Sequence, residues 1–310
     1  LSGYIHAETV AFNAKTDRLG MAIERVDHLP MPVVSNAFSI RTRPSKQLAT
    51  RLHYRFGGEH LVHWNNGRGK MREGVLLTPS THRLGVRLPV LVLLNGQRNN
   101  AFSARFMGSC WGHGTHIIPL CQQDILNNGI IVFEPNITGS DGYGAKFRLG
   151  HYADAGEADY QDVLTGVNAL VDRGIADAKH IMVMGWGYGG YLATMLAVKD
   201  HRFGRLINGA GISNWISFAG TSRSPQDVMD RLGQPFWQAG DLYLKRSPVM
   251  RVSHIKAPVL LMAGDGDGVV PFSQSLELYN ALRQQRREVA FYLFHHNGHI
   301  PGKARTIVAA

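Results

Sequence analysis

The sequence predicts an α/β protein: a mostly parallel, doubly wound sheet with a short antiparallel β segment ahead of it. Three observations carry this. From about Glu59 onward, apolar runs of strand length alternate with amphipathic stretches of helical length, which implies parallel strands joined by crossover helices and covered on both faces. Residues 1–53 read differently, as short strand-like runs punctuated by Pro30, Pro32 and Pro44. In the middle of the chain, Ile181-Met-Val-Met-Gly185-Trp-Gly187-Tyr-Gly189-Gly190-Tyr191 reads as a buried strand that turns into a helix through glycines.

The elements follow in order. In residues 1–53, Thr9–Phe12 and Arg18–Ile23 flank the turn Asn13–Asp17, and Val33–Val34 with Phe38–Ile40 make a second pair of runs. Two or three antiparallel strands are expected there, too few to hold a core alone. Strands are expected next at Leu61–Trp64, Glu73–Leu77, Pro89–Leu94, Gly129–Glu134, His180–Met184, Arg205–Asn208, Val259–Met262 and Val289–Phe294. The clearest helix is Asp159–Arg173, with Val163, Val167, Leu170 and Val171 on one stripe, Gly166 inside it and Gly174 stopping it. A second helix spans Ser273–Gln285, with Leu276, Tyr279 and Leu282 expected to face inward. The resulting division is a β segment over 1–53 and an α/β domain over 54–310.

Composition narrows the function classes. The chain has 310 residues, 44% of them hydrophobic, a net charge of +10 and only two cysteines, Cys110 and Cys121. Two cysteines do not make a disulfide scaffold; buried free thiols are the expectation. The basic residues are scattered, and the densest run, Arg283-Gln-Gln-Arg286-Arg287, suits a helix C-terminus. No interleaving of basic and aromatic residues argues for nucleic acid. The longest apolar run, Leu88–Leu94, is far short of the ~20 residues of a membrane helix. A soluble protein is expected, with the cytoplasm favoured over secretion; the first residue is not Met, so the chain fits a piece cut or processed from something longer.

The strand–glycine–helix segment has the form of a nucleophile elbow, G-x-S-x-G, in which a sharp turn presents a serine above the sheet. The position of that serine is Gly187, which has no side chain. The partners of such a nucleophile are a carboxylate and then a histidine, each on a loop after a later strand. Both slots are filled in that order: Gly264-Asp265-Gly266-Asp267 follows one strand, and His295-His296-Asn297-Gly298-His299 follows the next. Spacing from Gly264 favours Asp267 over Asp265 as the acid. The expected fold is therefore an α/β-hydrolase.

These motifs resemble the prolyl oligopeptidase (peptidase S9) family, near its acylaminoacyl-peptidase and dipeptidyl-peptidase branches. Gly185-Trp-Gly187-Tyr-Gly-Gly-Tyr191 is similar to the family's G-W-S-Y-G-G-Y, Asp267-Gly-Val-Val-Pro271 to its D-x-x-V-P, and Gly298-His299 to its histidine motif. Gly139–Gly144, Asp159-Tyr-Gln-Asp162, Ser247-Pro248 and Pro271-Phe-Ser-Gln274 extend the likeness, which runs from about Glu59 to Gly302. The resemblance implies hydrolysis of a peptide or related acyl bond through a serine acyl-enzyme. It also implies His299 as general base, Asp267 as its orienter, and the amides of Tyr188 and Gln97 as oxyanion donors, with no cofactor and no metal. Residues 1–53 look like the tail of the family's β-propeller, and Trp215 and Phe236 fall in the region that shapes the acyl pocket.

The departures from the pattern matter as much. The nucleophile is Gly187, the H-G-G-P loop is Asn95-Gly96-Gln97-Arg98, Thr138 stands for the arginine of N-Y-R-G-S, and Ala263 replaces a histidine. Eleven residues follow His299, so the family's final helix is short here. Without an Oγ no acyl-enzyme forms, a loss on the order of 10⁶-fold in kcat.

Gly187 admits three readings: an inactive homologue, an engineered or artefactual change, or another use of the turn. Inactive relatives of dipeptidyl peptidases are a precedent for the first, as binding or regulatory proteins. One other use is a dinucleotide fingerprint, Gly185-x-Gly187-x-x-Gly190, but the following strand ends at Asn208-Gly-Ala-Gly211, without the acidic residue that binds a ribose. Neither His295, His296 and His299 nor His113 and His116 has metal-site geometry. The expected partners are a peptide or small acyl ligand and a second copy of the chain; no nucleic acid is expected.

Overall fold

The computed structural model describes residues 4–5, 11–16, 18–25, 28–36, 39–42, 57–94, 101–102, 122–300 and 307–309. Within the first 53 residues it holds five short strands, more than the two or three expected: β1 (Tyr4–Ile5), β2 (Ala11–Asn13), β3 (Arg18–Arg25), β4 (His28–Asn36) and β5 (Ser39–Thr42). All their pairings are antiparallel, in the order β1-β3-β4-β5 with β2 also on β3. β1 has no counterpart among the expected runs, and β4 is longer than expected because it runs through Pro30 and Pro32, which the sequence suggests as breakers. β5 covers β4 only from Val33 onward, so at the two prolines one side of β4 is open and a missing N–H breaks no ladder.

The remaining strands form one nine-stranded sheet. They are β6 (Gly58–Asn65), β7 (Met71–Thr78), β8 (Leu88–Leu94), β9 (Ile131–Pro135), β10 (Ala176–Trp186), β11 (Phe203–Gly209), β12 (Val259–Gly264), β13 (Val289–Phe294) and β14 (Ile307–Ala309). Their order is β14-β13-β12-β11-β10-β8-β9-β7-β6. The run from β13 to β9 is parallel throughout; β14, β7 and β6 are antiparallel additions at the two edges. All eight strands expected after Glu59 lie in this sheet.

The central strands are apolar because both faces are covered. Along β8, Val90, Val92 and Leu94 join the larger core with Phe133 and Val183, while Leu91 and Leu93 face a smaller core with Leu77, Leu126 and Met184. At the edge, β6 alternates instead: Val62 and Trp64 are buried, Leu61 and His63 exposed.

The helices are α1 (Gln122–Asn127), α2 (Ala145–Arg148), α3 (Ala158–Asp172), α4 (Tyr188–Lys199), α5 (Trp215–Thr221), α6 (Pro225–Leu232), α7 (Gly240–Arg246) and α8 (Ser273–Gln284). α4 is buried from Tyr188 to Val198, as a helix without a polar face must be. In α3 the internal glycine has a packing reason. A Cβ on Gly166 would lie 2.9 Å from the Phe133 ring and 3.0 Å from Trp64, so glycine lets the helix approach the sheet.

The inward face of α8 needs one correction. Leu278, Tyr279 and Leu282 are buried with Gln274 and Ser275, whereas Leu276 is 38% exposed. The apolar stripe runs through 275, 278, 279 and 282 at helical spacing, which turns position 276 outward. Gln274 is a polar staple: its Oε1 accepts from the amides of Ser213 and Asn214, and its Nε2 donates to Ser217 Oγ. It ties α8 to the helices inserted between β11 and β12.

Candidate active site

Gly187 lies between β10 and α4, at the middle of the sheet's carboxyl edge. Its backbone adopts φ 55° and ψ −121°, a conformation that strains any residue with a Cβ. Its N–H donates to the carbonyl of Gly209 at 2.8 Å, and its own carbonyl accepts from Tyr191 at 3.1 Å. The surrounding glycines are steric necessities. A Cβ on Gly185 would sit 2.2 Å from the carbonyl oxygen of Gly189, one on Gly190 2.9 Å from that of Gly209, and one on Gly209 1.8 Å from the Trp186 indole. Close packing of strand, turn and helix therefore accounts for the G-x-G-x-x-G pattern. Asn208, where a ribose-binding acid would be sought, instead donates to Thr194 Oγ1 and accepts from the Gly211 amide.

The acid and histidine loops meet beside this turn. His299 Nδ1 is 2.7 Å from Asp267 Oδ2, and the carboxylate is fully buried. The other carboxylate oxygen, Oδ1, accepts from the amides of Val269 and Val270 at 2.8 and 2.9 Å. Three donors can thus fix the carboxylate, and the tautomer of His299 that donates from Nδ1 leaves its Nε2 lone pair free. Asp265 pairs separately with His295 at 3.0 Å. The His295 bond is the main influence holding the Asp265 carboxyl below its ordinary range. The two loops are cross-linked by Gly266 N donating to Asn297 O at 2.9 Å, and Gly264 has no room for a Cβ, which would lie 2.4 Å from the Asn297 and Gly298 carbonyls.

Trp186 is a site residue that the sequence offers only as core or pocket wall. Its Nε1 donates to the backbone carbonyl of His299 at 2.7 Å, so the residue before Gly187 anchors the histidine loop. Its place inside the elbow motif puts it near the site, but the group its indole reaches lies 113 residues away in the chain. Trp215 is fully buried, with its ring against Tyr191 and Phe218, and so belongs to the core. Phe236 is partly buried beside Trp237 and Tyr243. Gln97 and the rest of Asn95–Arg98 lie outside the described residues, as do Trp111, both cysteines, His113 and His116.

The residue after the elbow is held from below. The Tyr188 hydroxyl donates to Asp159 Oδ2 at 2.5 Å and accepts from the Gly156 amide, while the Arg231 guanidinium lies 3.7 Å from its ring centroid. Full burial raises the Asp159 carboxyl from 3.8 to about 6. A carboxyl raised in the folded chain stabilises the fold below the unfolded value, and that contribution is lost as pH climbs through about 6. The displacement corresponds to about 3 kcal/mol. Asp159→Asn removes it: relative to the unmodified protein, the variant's thermal midpoint should be higher at pH 7 than at pH 4. Equal differences at both pH values would show that Asp159 does not titrate in this window.

A second buried carboxylate organises the strand next door. Asp162 accepts from Asn66 Nδ2 at 2.9 Å, from the Thr138 amide and hydroxyl at 2.7 and 2.6 Å, and faces Arg72 Nε at 2.8 Å. Arg72 also donates to Thr138 Oγ1. A guanidinium from β7 thus lies beside position 138. Asn136 accepts from the Phe102 amide at 2.7 Å and donates to its carbonyl at 3.0 Å, fixing Phe102 in the connection between β8 and α1.

An elbow on the central strand, an acid after β12 and a histidine after β13 define an α/β-hydrolase with the frame of a serine acyl-transfer site. The prolyl oligopeptidase family profile matches residues 121–310, well over half of the chain, and the chain belongs to that family. It is 25% identical over 273 residues to the uncharacterized peptidase YuxL of Bacillus subtilis (strain 168), covering 86% of this chain and 40% of that protein. It is 28% identical over 237 residues to the acylamino-acid-releasing enzyme of Mus musculus, covering 73% of this chain and 30% of the enzyme. The chain thus spans less than half the length of these relatives. The acylaminoacyl peptidase of Pyrococcus horikoshii has the same fold, with a TM-score of 0.81 at 22% identity over 96% of this chain and 46% of that one. Among the described residues no helix is long and apolar enough to cross a membrane, and no cluster of His, Cys, Asp and Glu is arranged to hold a metal.

Proposed function

We propose that this prolyl oligopeptidase-family domain binds peptides or small acyl compounds without cleaving them through a covalent intermediate. The observation that carries the reading is the pairing of an assembled Asp267–His299 dyad with Gly187 at the attacking position. In the family's chemistry a serine Oγ attacks the acyl carbon, the histidine takes its proton, and backbone N–H groups stabilise the oxyanion. Here Nε2 of His299 has no hydroxyl to deprotonate. The amide of Tyr188, in the first turn of α4, has no acceptor within its helix, which supports recognition of a carbonyl oxygen without attack. The relatives named as acylamino-acid-releasing enzymes support an N-acylated peptide as the ligand class. The low cysteine content supports a reducing compartment such as the cytoplasm.

The test is calorimetric titration with N-acetylated di- and tripeptides, with product formation followed in parallel. Saturable binding with cleavage at the buffer rate is the expected result. Steady turnover that disappears in His299→Ala would overturn the reading, and so would the absence of any saturable binding.

A further inference from the structure

We infer a second binding site, for a small organic polyanion, in a basic cavity three strands away from Gly187. It is an open cavity of about 530 Å³ between the β6–β7 turn, the loop after β9 and the first residues of α3. β7 runs antiparallel to β9, so the β6–β7 turn opens on the same carboxyl edge of the sheet as the elbow. Its volume lies within the range of small-molecule sites, ~300–1,000 Å³.

The charge of the lining points to the ligand class. Arg68, Lys70, Arg72 and Lys146 contribute four cations, and Asp154 the one carboxylate. Arg72 is committed to the buried Asp162 behind the wall. Asp154 is committed as well, lying 3.7 Å from Arg246 and accepting from the Ala158 amide. That leaves Arg68, Lys70 and Lys146, none of which has a carboxylate partner among the described residues. Three cations lining one concavity repel each other until an anion enters, an attraction that solvent and salt screen.

The rest of the lining suits an organic anion better than a bare ion. Phe147 and Tyr143 stand side by side, with ring centroids 4.8 Å apart. The Arg72 guanidinium covers Phe147, 4.7 Å from its centroid, and the Tyr143 hydroxyl is engaged with Glu73 and Asn136. The two rings are thus held by their neighbours and add apolar surface to the lining. Phosphate and carboxylate groups share the required chemistry, several oxyanion oxygens on a compact frame.

The full chain is titrated calorimetrically with inorganic pyrophosphate and, separately, with citrate, at low and at physiological salt. Saturable one-to-one binding that weakens with salt is expected for at least one probe. Binding of pyrophosphate alone assigns the ligand to the phosphates, and of citrate alone to the polycarboxylates. Arg68→Gln, Lys70→Gln and Lys146→Gln should each weaken binding about fivefold to tenfold, a charge-assisted contact in each case. Lys245→Gln and Lys256→Gln, outside the cavity, should leave it unchanged. All three cavity cations are exposed, so these variants fold. No saturable heat with either probe, or single variants that bind as tightly as the unmodified chain, would overturn the inference. The site does not depend on Gly187, so this titration and the peptide titration fail or succeed separately.

Discussion

Gly187→Ser is expected to raise acyl-ester hydrolysis by several orders of magnitude over the unmodified chain, with ~10⁶-fold, the usual worth of a triad nucleophile, as the ceiling. The dyad the serine needs is already built: Asp267 is buried with three hydrogen-bond donors on its carboxylate, and the carbonyl of His299 is tethered by Trp186. Introducing a Cβ at φ 55° has a cost, about 1–3 kcal/mol of backbone strain, so the variant should also unfold a few degrees earlier. Gain and loss come from one substitution and separate cleanly. A kinetic gain that vanishes in the Gly187→Ser, His299→Ala double variant shows that the serine uses the dyad. A variant that is folded and mildly destabilised yet hydrolyses no faster than the unmodified chain would show that the machinery around the elbow is incomplete.

Arg72→Met is expected to destabilise the fold by about 3–5 kcal/mol, the cost of stranding a buried charge. Its partner Asp162 has a fully buried side chain, while that of Arg72 is 6% exposed. Methionine keeps much of the packing against Phe147 but leaves the carboxylate with neutral donors only, from Asn66 and Thr138. Adding Asp162→Leu should recover part of the loss, since removing both charges removes the stranding. Urea unfolding of the two single variants and the double variant measures this directly. A loss below about 1 kcal/mol for Arg72→Met would mean that the hydrogen bonds of Thr138 and Asn66 already satisfy Asp162, and that the ion pair adds only what an exposed one does.

The sheet was legible in the sequence because its central strands are apolar on both faces and stand between amphipathic helices. The acid and histidine were legible because each follows such a strand. Other features depend on contacts far apart in the chain. No local pattern shows that the Trp186 indole reaches His299, or that Arg72, in an edge hairpin, pairs with Asp162 beside Thr138. The outward turn of Leu276 shows the limit of periodicity: two stripes of α8 share Tyr279 and Leu282, and only packing against the sheet selects the one through Ser275 and Leu278. In the N-terminal segment, Pro30 and Pro32 read as breaks because the sequence does not tell which side of a strand will be left unpaired.

An attacking atom is missing beside an assembled Asp267–His299 pair. Intact-mass spectrometry after exposure to a fluorophosphonate, which labels activated serines, tests it most directly. The unmodified chain should gain no adduct and Gly187→Ser a single one, mapped to residue 187. An adduct on the unmodified chain would reveal a nucleophile elsewhere, and an unlabelled but folded Gly187→Ser would show that the site lacks more than one oxygen.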